Sequence, residues 1–296
     1  MSDPATDLVY FRSAEQPGGG FLPRAQVRVS PLDRGFMLAD GVYEVIRSYQ
    51  GRLFHADRHL ARLEQSLAAT GIELEDARAL GAVATELIRR NGLDSVDATV
   101  YIQVTRGICP RSLLIPAEGL LPTVYADASK LTVQPEQAEQ GIRVITVPDI
   151  RWQRCDIKSI ALLPNVLARL EAGRRGADEA LFVRDGLLTE GTHTTLFGVE
   201  AGTVLTHPLS GSILAGVTRS VVLELCAELG IPSAEQAIPA AGLASLDELF
   251  LSCTTAEVLP VTAVNGMPVG NGSPGPVTRR LLAAFREHVE RALAGG

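Results

Sequence analysis

Residues 151–164 read RWQRCDIKSIALLP, and residues 187–197 read LLTEGTHTTLF. The first stretch sets Lys158 between the apolar residues 144–147 and an apolar run with helical periodicity over residues 160–170. This setting predicts a half-buried lysine. Burial disfavours the charged ammonium, and the neutral amine is the form that attacks a carbonyl or accepts a proton. The structural alternative is a lysine that reaches from the end of a strand to solvent.

The composition is that of a folded globular protein. The chain has 296 residues, 46% hydrophobic and 21% charged, which is enough for two ordinary domains or one large one. The formal net charge of −7 shows no excess of basic residues of the kind that binds nucleic acid or an anionic membrane. We therefore expect neither as a partner. No apolar run is long enough to span a bilayer, and the first residues lack the pattern of a secretory signal.

Four cysteines are scattered along the chain and form no C-x-x-C pair, so the spacing typical of a metal site is absent. They are Cys109, Cys155, Cys226 and Cys253. We therefore expect no metal, reduced thiols and a cytoplasmic protein.

Hydrophobic periodicity and turn residues predict a mixed α+β fold. In the first half they predict a hairpin over residues 43–54 with Gln50-Gly51 at its turn, then a helix over 55–70 that ends at Gly71. The other elements predicted there are a helix over 75–90 and strands over 26–29, 99–105 and 123–126.

The polar stretch 134–141 is the predicted linker, and it divides the chain into domains 1–133 and 142–296. The second domain alternates short strands with a few helices, which favours a mixed barrel or sandwich over a doubly wound parallel sheet. Asn265-Gly266 predicts a late hairpin. The predicted helices cover 160–175, 217–229 and 277–293, and the predicted strands cover 142–148, 179–184, 194–206 and 248–253.

Four motifs in a fixed order resemble those of a known family. They are RCDIKSIALLPNVLA (154–168), LLTEGTHTTLF (187–197), SILAGVTR (212–219) and DELFLSCTTAEVLPV (247–261). Together they resemble the fold-type IV aminotransferases, which use pyridoxal phosphate, and within that superfamily the D-amino acid aminotransferases. The resemblance runs from about Asp33 to about Val264. It implies a small N-terminal α/β domain, a larger C-terminal pseudo-barrel that carries the lysine, and a homodimer with its active site at the subunit interface.

The resemblance gives three residues roles around the cofactor ring. Lys158 matches the lysine that binds pyridoxal phosphate covalently and then carries a proton. Glu190 matches the carboxylate that keeps the pyridine nitrogen protonated, and Arg151 matches an arginine on the phenolate side of the ring. Without the resemblance, Glu190 reads equally well as a glutamate in a surface turn.

The resemblance also implies a phosphate site. Gly216, Val217 and Thr218 begin a predicted helix, whose first amides and dipole favour an anion. Arg62 and Thr254 stand at two further positions that the family uses around the phosphate. Taken alone, these residues are typical of a helix cap, a solvated arginine and a hydroxyl at a strand end.

Five residues match positions on the substrate side. Tyr43 and Thr255 match substrate contacts, and Arg111 matches the arginine that receives the α-carboxylate across a dimer interface. Two positions differ from the family pattern: Leu113 replaces the family's histidine, and His193 replaces a small hydroxyl residue. Leu113 leaves a drier pocket that admits primary amines or bulkier apolar substrates. The structural alternatives are a buried strand tyrosine at Tyr43 and a solvent-facing histidine at His193.

The resemblance implies a transaminase that passes the amino group of a D-amino acid, such as D-alanine, to a 2-oxo acid by a ping-pong mechanism. Leu113 leaves (R)-amines and L-branched-chain amino acids open as other substrates. A further alternative is an aminodeoxychorismate lyase, which shares the DRGxxxxDG motif at residues 33–41, the lysine and the glutamate. A protein that keeps the fold without catalysis is the last alternative, and the retention of both Lys158 and Glu190 argues against it.

Overall fold

The computed structural model describes residues 7–116 and 119–294. The chain divides into two compact units. The first unit holds the chain up to Thr132 together with Ile157–Ala161, and the second holds Val133–Asp156 and the chain from Leu162 onward.

This division differs from the predicted one at Lys158. The sequence predicts Lys158 in the second domain, but the segment Ile157–Ala161 is part of the first unit, because Ser159 forms a β-bridge with Val42. The predicted linker 134–141 is part of the second unit.

The first unit contains an antiparallel sheet of six strands, in the order β2-β1-β6-β5-β3-β4. A short 3-10 helix, Arg24–Gln26, follows β2. The strands and helices in chain order are β1 (Leu8–Ser13), β2 (Gln16–Pro23), α1 (Arg34–Leu38), β3 (Gly41–Tyr49), β4 (Arg52–Leu53), α2 (Ala56–Thr70), α3 (Leu80–Arg90), β5 (Ala98–Thr105) and β6 (Thr123–Lys130).

Helix α2 covers the core of the first unit. Leu60, Leu63 and Leu67 are buried, as the helical periodicity predicts, and they belong to one cluster with residues of β3 and β5. The helix ends at Gly71, whose φ of 63° is in the left-handed region that favours glycine. The predicted hairpin is confirmed, because Gln50-Gly51 joins β3 to β4 with a positive φ at both residues.

Some predictions for the first unit are wrong. Residues 26–29 form no strand, and Val29 is 54% exposed, since this short alternation has no buried face to fix it. The sequence pattern also missed β1 and β2. Strand β2 contains three consecutive glycines, which have low strand propensity, and its pairing with β1 holds it. The helix predicted over 75–90 begins only at Leu80.

The second unit contains a mixed sheet, in the order β12-β11-β10-β14-β15-β7-β8-β9-β13, with β16 beside β15. A second 3-10 helix covers Ala240–Ser245. The strands and helices in chain order are α4 (Pro135–Gln140), β7 (Ile142–Pro148), α5 (Leu163–Arg174), β8 (Glu179–Arg184), β9 (Leu187–Gly191), β10 (Thr195–Glu200), β11 (Thr203–Thr206), α6 (Val217–Glu228), β12 (Ser233–Glu235), β13 (Ile238–Pro239), β14 (Glu248–Cys253), β15 (Glu257–Val264), β16 (Met267–Pro268) and α7 (Pro276–Ala294).

Six strands of this sheet form a closed barrel. Strand β9 pairs with β10 as well as with β8, and the closing pair is Glu190 opposite Thr195. The predicted mixed α+β fold with a barrel is therefore confirmed. The strands predicted over 142–148 and 248–253 have the observed bounds. The strand predicted over 194–206 is two strands, because Ala201-Gly202 turns the chain with positive φ.

Among the described residues, every helix is too short or too polar to cross a lipid bilayer.

Candidate active site

Lys158 is carried by a short extended segment that pairs with one edge of β3. The Tyr43 amide donates a hydrogen bond to the Lys158 carbonyl at 3.0 Å, and the Ile160 amide donates to the Gly41 carbonyl at 3.1 Å. The Lys158 amide donates to Ser66 Oγ on α2 at 3.2 Å. These bonds hold the backbone on both sides of the lysine.

The Lys158 side chain lies over an aromatic ring. Its Nζ is 4.2 Å from the centroid of the Tyr43 ring, and the residue is half-buried, as the sequence predicts. Tyr43 packs in turn against Tyr101, with ring centroids 5.6 Å apart. No carboxylate forms an ion pair with this amine among residues 7–116 and 119–294. The amine is therefore positioned by packing, which leaves it open to a carbonyl ligand.

A buried ionic network joins β3 to α2 and fixes Arg62. Glu44 is fully buried and accepts hydrogen bonds from Arg62 Nε at 2.7 Å and Nη2 at 2.9 Å. His59 Nδ1 lies 2.9 Å from Glu44 Oε2. Burial alone would raise the pKa of Glu44, but the Arg62 charge and the hydrogen bonds outweigh it and hold this pKa well below its usual range. Burial lowers the pKa of His59, so its ring is neutral at pH 7.

We expect Glu44→Gln to destabilise the protein by about 3–5 kcal/mol at pH 7, because it leaves the Arg62 guanidinium buried without its counter-charge. The folded-state pKa of Glu44 is depressed. The stabilisation is therefore present above the unfolded pKa of about 4.3 and is lost as the pH falls from there toward the folded value. Urea unfolding at pH 7 and pH 3 checks both points, since the difference from wild type should shrink at pH 3.

The matched control is Glu86→Gln, because Glu86 pairs with Arg89 and Arg90 on an exposed helical face. This variant should leave the urea midpoint unchanged. A midpoint for Glu44→Gln as high as that of the control would contradict the role given to the buried network.

Glu190 is held at the closing pair of the barrel by two donors. Its Oε1 accepts from Arg151 Nη1, and its Oε2 accepts from the Leu214 amide at 3.0 Å. Arg151 also binds Asp149 through Nε at 2.9 Å and Nη2 at 2.8 Å, and its guanidinium lies 4.2 Å from the centroid of the Phe182 ring. Burial works against the Arg151 cation, but Asp149 and Glu190 outweigh it and raise its pKa. The result is a fixed, ionised arginine that orients the Glu190 carboxylate.

The N-terminus of α6 offers backbone amides to an anion. Gly216 is the N-cap residue, and no side-chain hydrogen bond caps it in the described part of the chain. Val217 and Thr218, both buried, occupy the first turn of the helix, where amides lack intrahelical partners. A side chain at Gly216 would meet Thr195 Oγ1 at 2.7 Å, so glycine keeps the approach to these amides open.

The segment that carries Arg111 is anchored by a buried arginine. Arg34 Nη1 donates to the Ser112 carbonyl at 2.5 Å, and Arg34 Nε donates to Asp40 at 2.7 Å. Arg106 binds the same carboxylate through Nε at 2.8 Å and Nη2 at 3.0 Å. Burial would raise the pKa of Asp40, but the two guanidiniums outweigh it and lower that pKa. Arg111 itself is exposed, and no described residue forms a hydrogen bond or ion pair with its side chain.

Four other predicted residues lie in loops. Leu113 follows Arg111 closely and is 86% exposed. His193 lies between β9 and β10, and its Nδ1 is 3.1 Å from Glu179 Oε2. Thr254 and Thr255 form the turn after β14, and Thr255 Oγ1 is 3.3 Å from Cys253 Sγ.

The structure thus brings predicted residues together within each unit: Lys158 with Tyr43 in the first, and Glu190 with Arg151 in the second. Sequence reasoning missed the acidic partners Glu44, Asp40 and Asp149. Glu44 carried one usable signal, since it is a charged residue inside the apolar strand sequence GVYEVI.

Comparisons with known proteins agree with one another. The family model for class IV amino-transferases matches residues 41–264. The chain is 41% identical over 272 residues to D-alanine aminotransferase of Bacillus licheniformis, covering 92% of this chain and 95% of that protein. It is 37% identical over 273 residues to D-alanine aminotransferase of Staphylococcus haemolyticus, covering 92% and 96%. The structure is similar to branched-chain amino acid aminotransferase of Escherichia coli, with a TM-score of 0.86, 28% identity and coverage of 95% and 94%.

Proposed function

The chain belongs to the class IV aminotransferase family, and from that premise we propose that it transfers the amino group of a D-amino acid such as D-alanine to a 2-oxo acid. The observation that carries the reaction type is the Lys158 amine, 4.2 Å from the Tyr43 ring centroid on a segment hydrogen-bonded to β3. The D-alanine assignment is supported by the relatives at 41% and 37% identity. The branched-chain structural neighbour is less similar in sequence, at 28%.

We propose pyridoxal phosphate as the cofactor, and the residues present fit it. A carboxylate with a fixed orientation, Glu190, suits a protonated ring nitrogen. In the second unit, the first amides of α6, with Thr218 and Thr254, suit a phosphate. Arg62, in the first unit, is the further phosphate residue that the family resemblance proposes. When bound, pyridoxal phosphate supplies an electron-accepting ring that stabilises the charge left when the substrate loses its α-proton.

Residues of the chain would provide cofactor attachment, proton transfer and positioning. Lys158 Nζ would hold the cofactor covalently, and as a free amine it would accept and then donate the proton that leaves the substrate α-carbon. Arg151 binds Asp149 and Glu190, so it fixes the orientation of the Glu190 carboxylate, which would face the ring nitrogen. Tyr43 limits where the amine can move.

We assign substrate recognition to Arg111, with Tyr43, His193 and Thr255 as further contacts. A guanidinium binds a carboxylate through two parallel hydrogen bonds, and Arg111 has no competing partner among the described residues. Leu113 supplies apolar surface where the related enzymes carry a second carboxylate donor. The pocket therefore depends on Arg111 more than on any other residue for the α-carboxylate.

We expect Arg111→Ala to raise KM for D-alanine by about 10- to 100-fold, the effect of removing a charge-assisted hydrogen-bonded pair of about 1.5–3 kcal/mol. KM for a primary amine such as (R)-1-phenylethylamine should change little, because that substrate has no carboxylate. Arg89→Ala is the matched control, since Arg89 is an exposed arginine that pairs with Glu86 in the same unit. An equal rise of KM for both substrates would mean that Arg111 acts on structure and not on the carboxylate.

We further propose that the chain works as a homodimer in the cytoplasm. Four apolar side chains of α5 lie on one helical face and are 48–68% exposed: Leu163, Val166, Leu167 and Leu170. A second copy of the chain would cover them. Free cysteines at all four positions agree with a reducing compartment. Sedimentation of wild type and Leu167→Glu tests the dimer, which the charge should dissociate.

The test of the reaction is the absorption spectrum of the protein with pyridoxal phosphate, mixed with one donor at a time and without an acceptor. The donors are D-alanine, L-alanine, L-leucine and (R)-1-phenylethylamine. Conversion of the bound cofactor to pyridoxamine phosphate by D-alanine alone would support the proposal. Conversion by L-leucine would move the enzyme to the branched-chain group, and conversion by the amine alone would make it an amine transaminase. A spectrum that no donor changes would favour the lyase.

A further inference from the structure

A buried carboxylate that the proposed reaction does not use lies at the start of β8, in the second unit. Glu179 is 2% exposed, and it contacts the turn of residues 191–194 between β9 and β10. Its Oε1 accepts hydrogen bonds from Thr192 Oγ1 at 2.6 Å and from the Thr192 amide at 3.4 Å. Its Oε2 lies 3.1 Å from His193 Nδ1. One carboxylate therefore holds two successive residues of this turn.

Glu179 keeps its charge in spite of its burial. Its Oε1 also accepts from the Ala180 amide at 2.7 Å, and Arg169 Nη1 lies 3.6 Å away. Burial alone would raise the pKa of Glu179, but His193, Thr192 and the Ala180 amide outweigh it and lower that pKa. Hydrogen bonds to an ionised acceptor are stronger than those to a neutral one. The contacts of Glu179 with the turn are therefore of the strong kind.

The turn has little freedom to move. Asn165 Nδ2, on α5, donates to the Thr192 carbonyl at 2.7 Å, so the amide, hydroxyl and carbonyl groups of Thr192 are all bound. The Gly191 amide donates to the Thr194 carbonyl at 2.8 Å. A Cβ at Gly191 would collide with Thr194 Oγ1, so the backbone is also tightly packed on itself. Glu179 and Asn165 thus fix this turn from two different elements.

The position of the turn decides the position of Glu190. Glu190 directly precedes residues 191–194, and it pairs with Thr195, which directly follows them. Arg151 and the Leu214 amide hold the Glu190 carboxylate, whereas the turn holds its backbone. A displacement of about 1 Å at a reacting group can cost about 100-fold in rate, even when its cause lies far from the chemistry. A loosened turn would therefore weaken the contact of Glu190 with a ring nitrogen.

From these contacts we propose that Glu179 is a positioning residue for amino transfer, which acts through the turn 191–194 to place the Glu190 carboxylate at the cofactor ring nitrogen. This inference rests on the proposed function, because it takes Glu190 as the group that keeps that nitrogen protonated. Glu179 contacts neither cofactor nor substrate in this role. Its removal should lower the protonation of the ring nitrogen while every group that contacts the cofactor is retained.

Nitrogen-15 NMR of pyridoxal phosphate labelled at the ring nitrogen, bound to the full-length protein, reports this proton without any turnover. Wild type should give the shift of a protonated ring, and Glu179→Ala should move it toward the unprotonated value. In the same variant kcat with D-alanine should fall about 10- to 100-fold, with a smaller change in KM. Glu179→Gln keeps an acceptor for Thr192, so it should recover most of the shift and of kcat.

Glu248→Ala is the matched control, because Glu248 is also a buried carboxylate that holds backbone in the second unit. It begins β14 and accepts from the Val277 amide at 2.9 Å and the Thr278 amide at 2.8 Å, at the start of α7. Both alanine variants should lower the midpoint of urea unfolding. Only Glu179→Ala should change the nitrogen-15 shift and kcat, which a merely structural role would leave unchanged.

Thr192→Val tests the same contact from the turn and leaves the buried carboxylate bound to the Ala180 amide, so it serves if Glu179→Ala does not fold. It should move the nitrogen-15 shift in the same direction. A wild-type shift and wild-type kcat in the folded variants at Glu179 and Thr192 would overturn the proposal. Failure of the cofactor role proposed for Glu190 would appear already in wild type, as a ring nitrogen without a proton, and would overturn both proposals.

Discussion

Replacement of Lys158 by alanine is expected to lower kcat for amino transfer by roughly 10⁴-fold, because it removes both the covalent attachment of the cofactor and the proton carrier. The fold should persist, since Lys158 contributes its backbone, and not its side chain, to the hydrogen bonds with β3 and Ser66. Steady-state kinetics with D-alanine and a 2-oxo acid measure the loss.

An adduct with the cofactor has only two possible lysine sites, because Lys130 and Lys158 are the only two lysines in the sequence. Borohydride reduction of the protein with pyridoxal phosphate, followed by peptide mass spectrometry, should place the stable adduct on Lys158. Lys130→Ala is the matched control, since Lys130 is exposed at the end of β6, and this variant should keep full activity. An adduct on Lys130, or near-normal turnover by Lys158→Ala, would contradict the assignment of Lys158 as the lysine that binds the cofactor.

Glu190→Gln should lower kcat/KM for D-alanine by at least about 100-fold, because an amide carries no charge to hold a proton on a ring nitrogen. Arg151 keeps Asp149 as its ionic partner in this variant, so no guanidinium is left buried without a counter-charge. The barrel should therefore remain folded. Steady-state kinetics and the absorption spectrum of the bound cofactor check the two expectations separately.

The matched control is Glu200→Gln, a change of the same kind at the exposed end of β10, where Ser245 Oγ donates to Glu200 Oε1 at 3.1 Å. It should leave kcat/KM unchanged. If Glu190→Gln retained wild-type kinetics and an unaltered spectrum, the carboxylate would serve only to close the barrel.

Local sequence patterns were sufficient to predict most of the structure of the second unit. Motifs of 8 to 15 residues carried the family assignment, which the family match over residues 41–264 confirms. The strands over 142–148 and 248–253 were found because they are apolar runs between turn residues. In the first unit, β1 and β2 were missed, because β2 has weak strand propensity and depends on a partner.

The ionic partners of the proposed site residues depend on the fold and not on spacing. Arg62 was selected from its motif, but its partner Glu44 lies 18 residues earlier on a different element. Arg151 was expected beside the cofactor ring, and its contacts with Asp149 and Glu190 reflect how the barrel closes. One sequence alone gives no means to pair charges across strands. The individual site roles remain predictions that the variants above test.

The segment Ile157–Ala161 makes the first unit discontinuous along the chain. A gene fragment that stopped at codon 132 would encode β1 to β6 without the strand partner of Gly41 and Tyr43, and without Lys158. Exchange of whole modules between relatives at the predicted linker would therefore separate the lysine from the β3 residues that position it. Recombination, natural or engineered, should therefore give an active protein only when strand β3 and the segment around Lys158 come from the same parental gene.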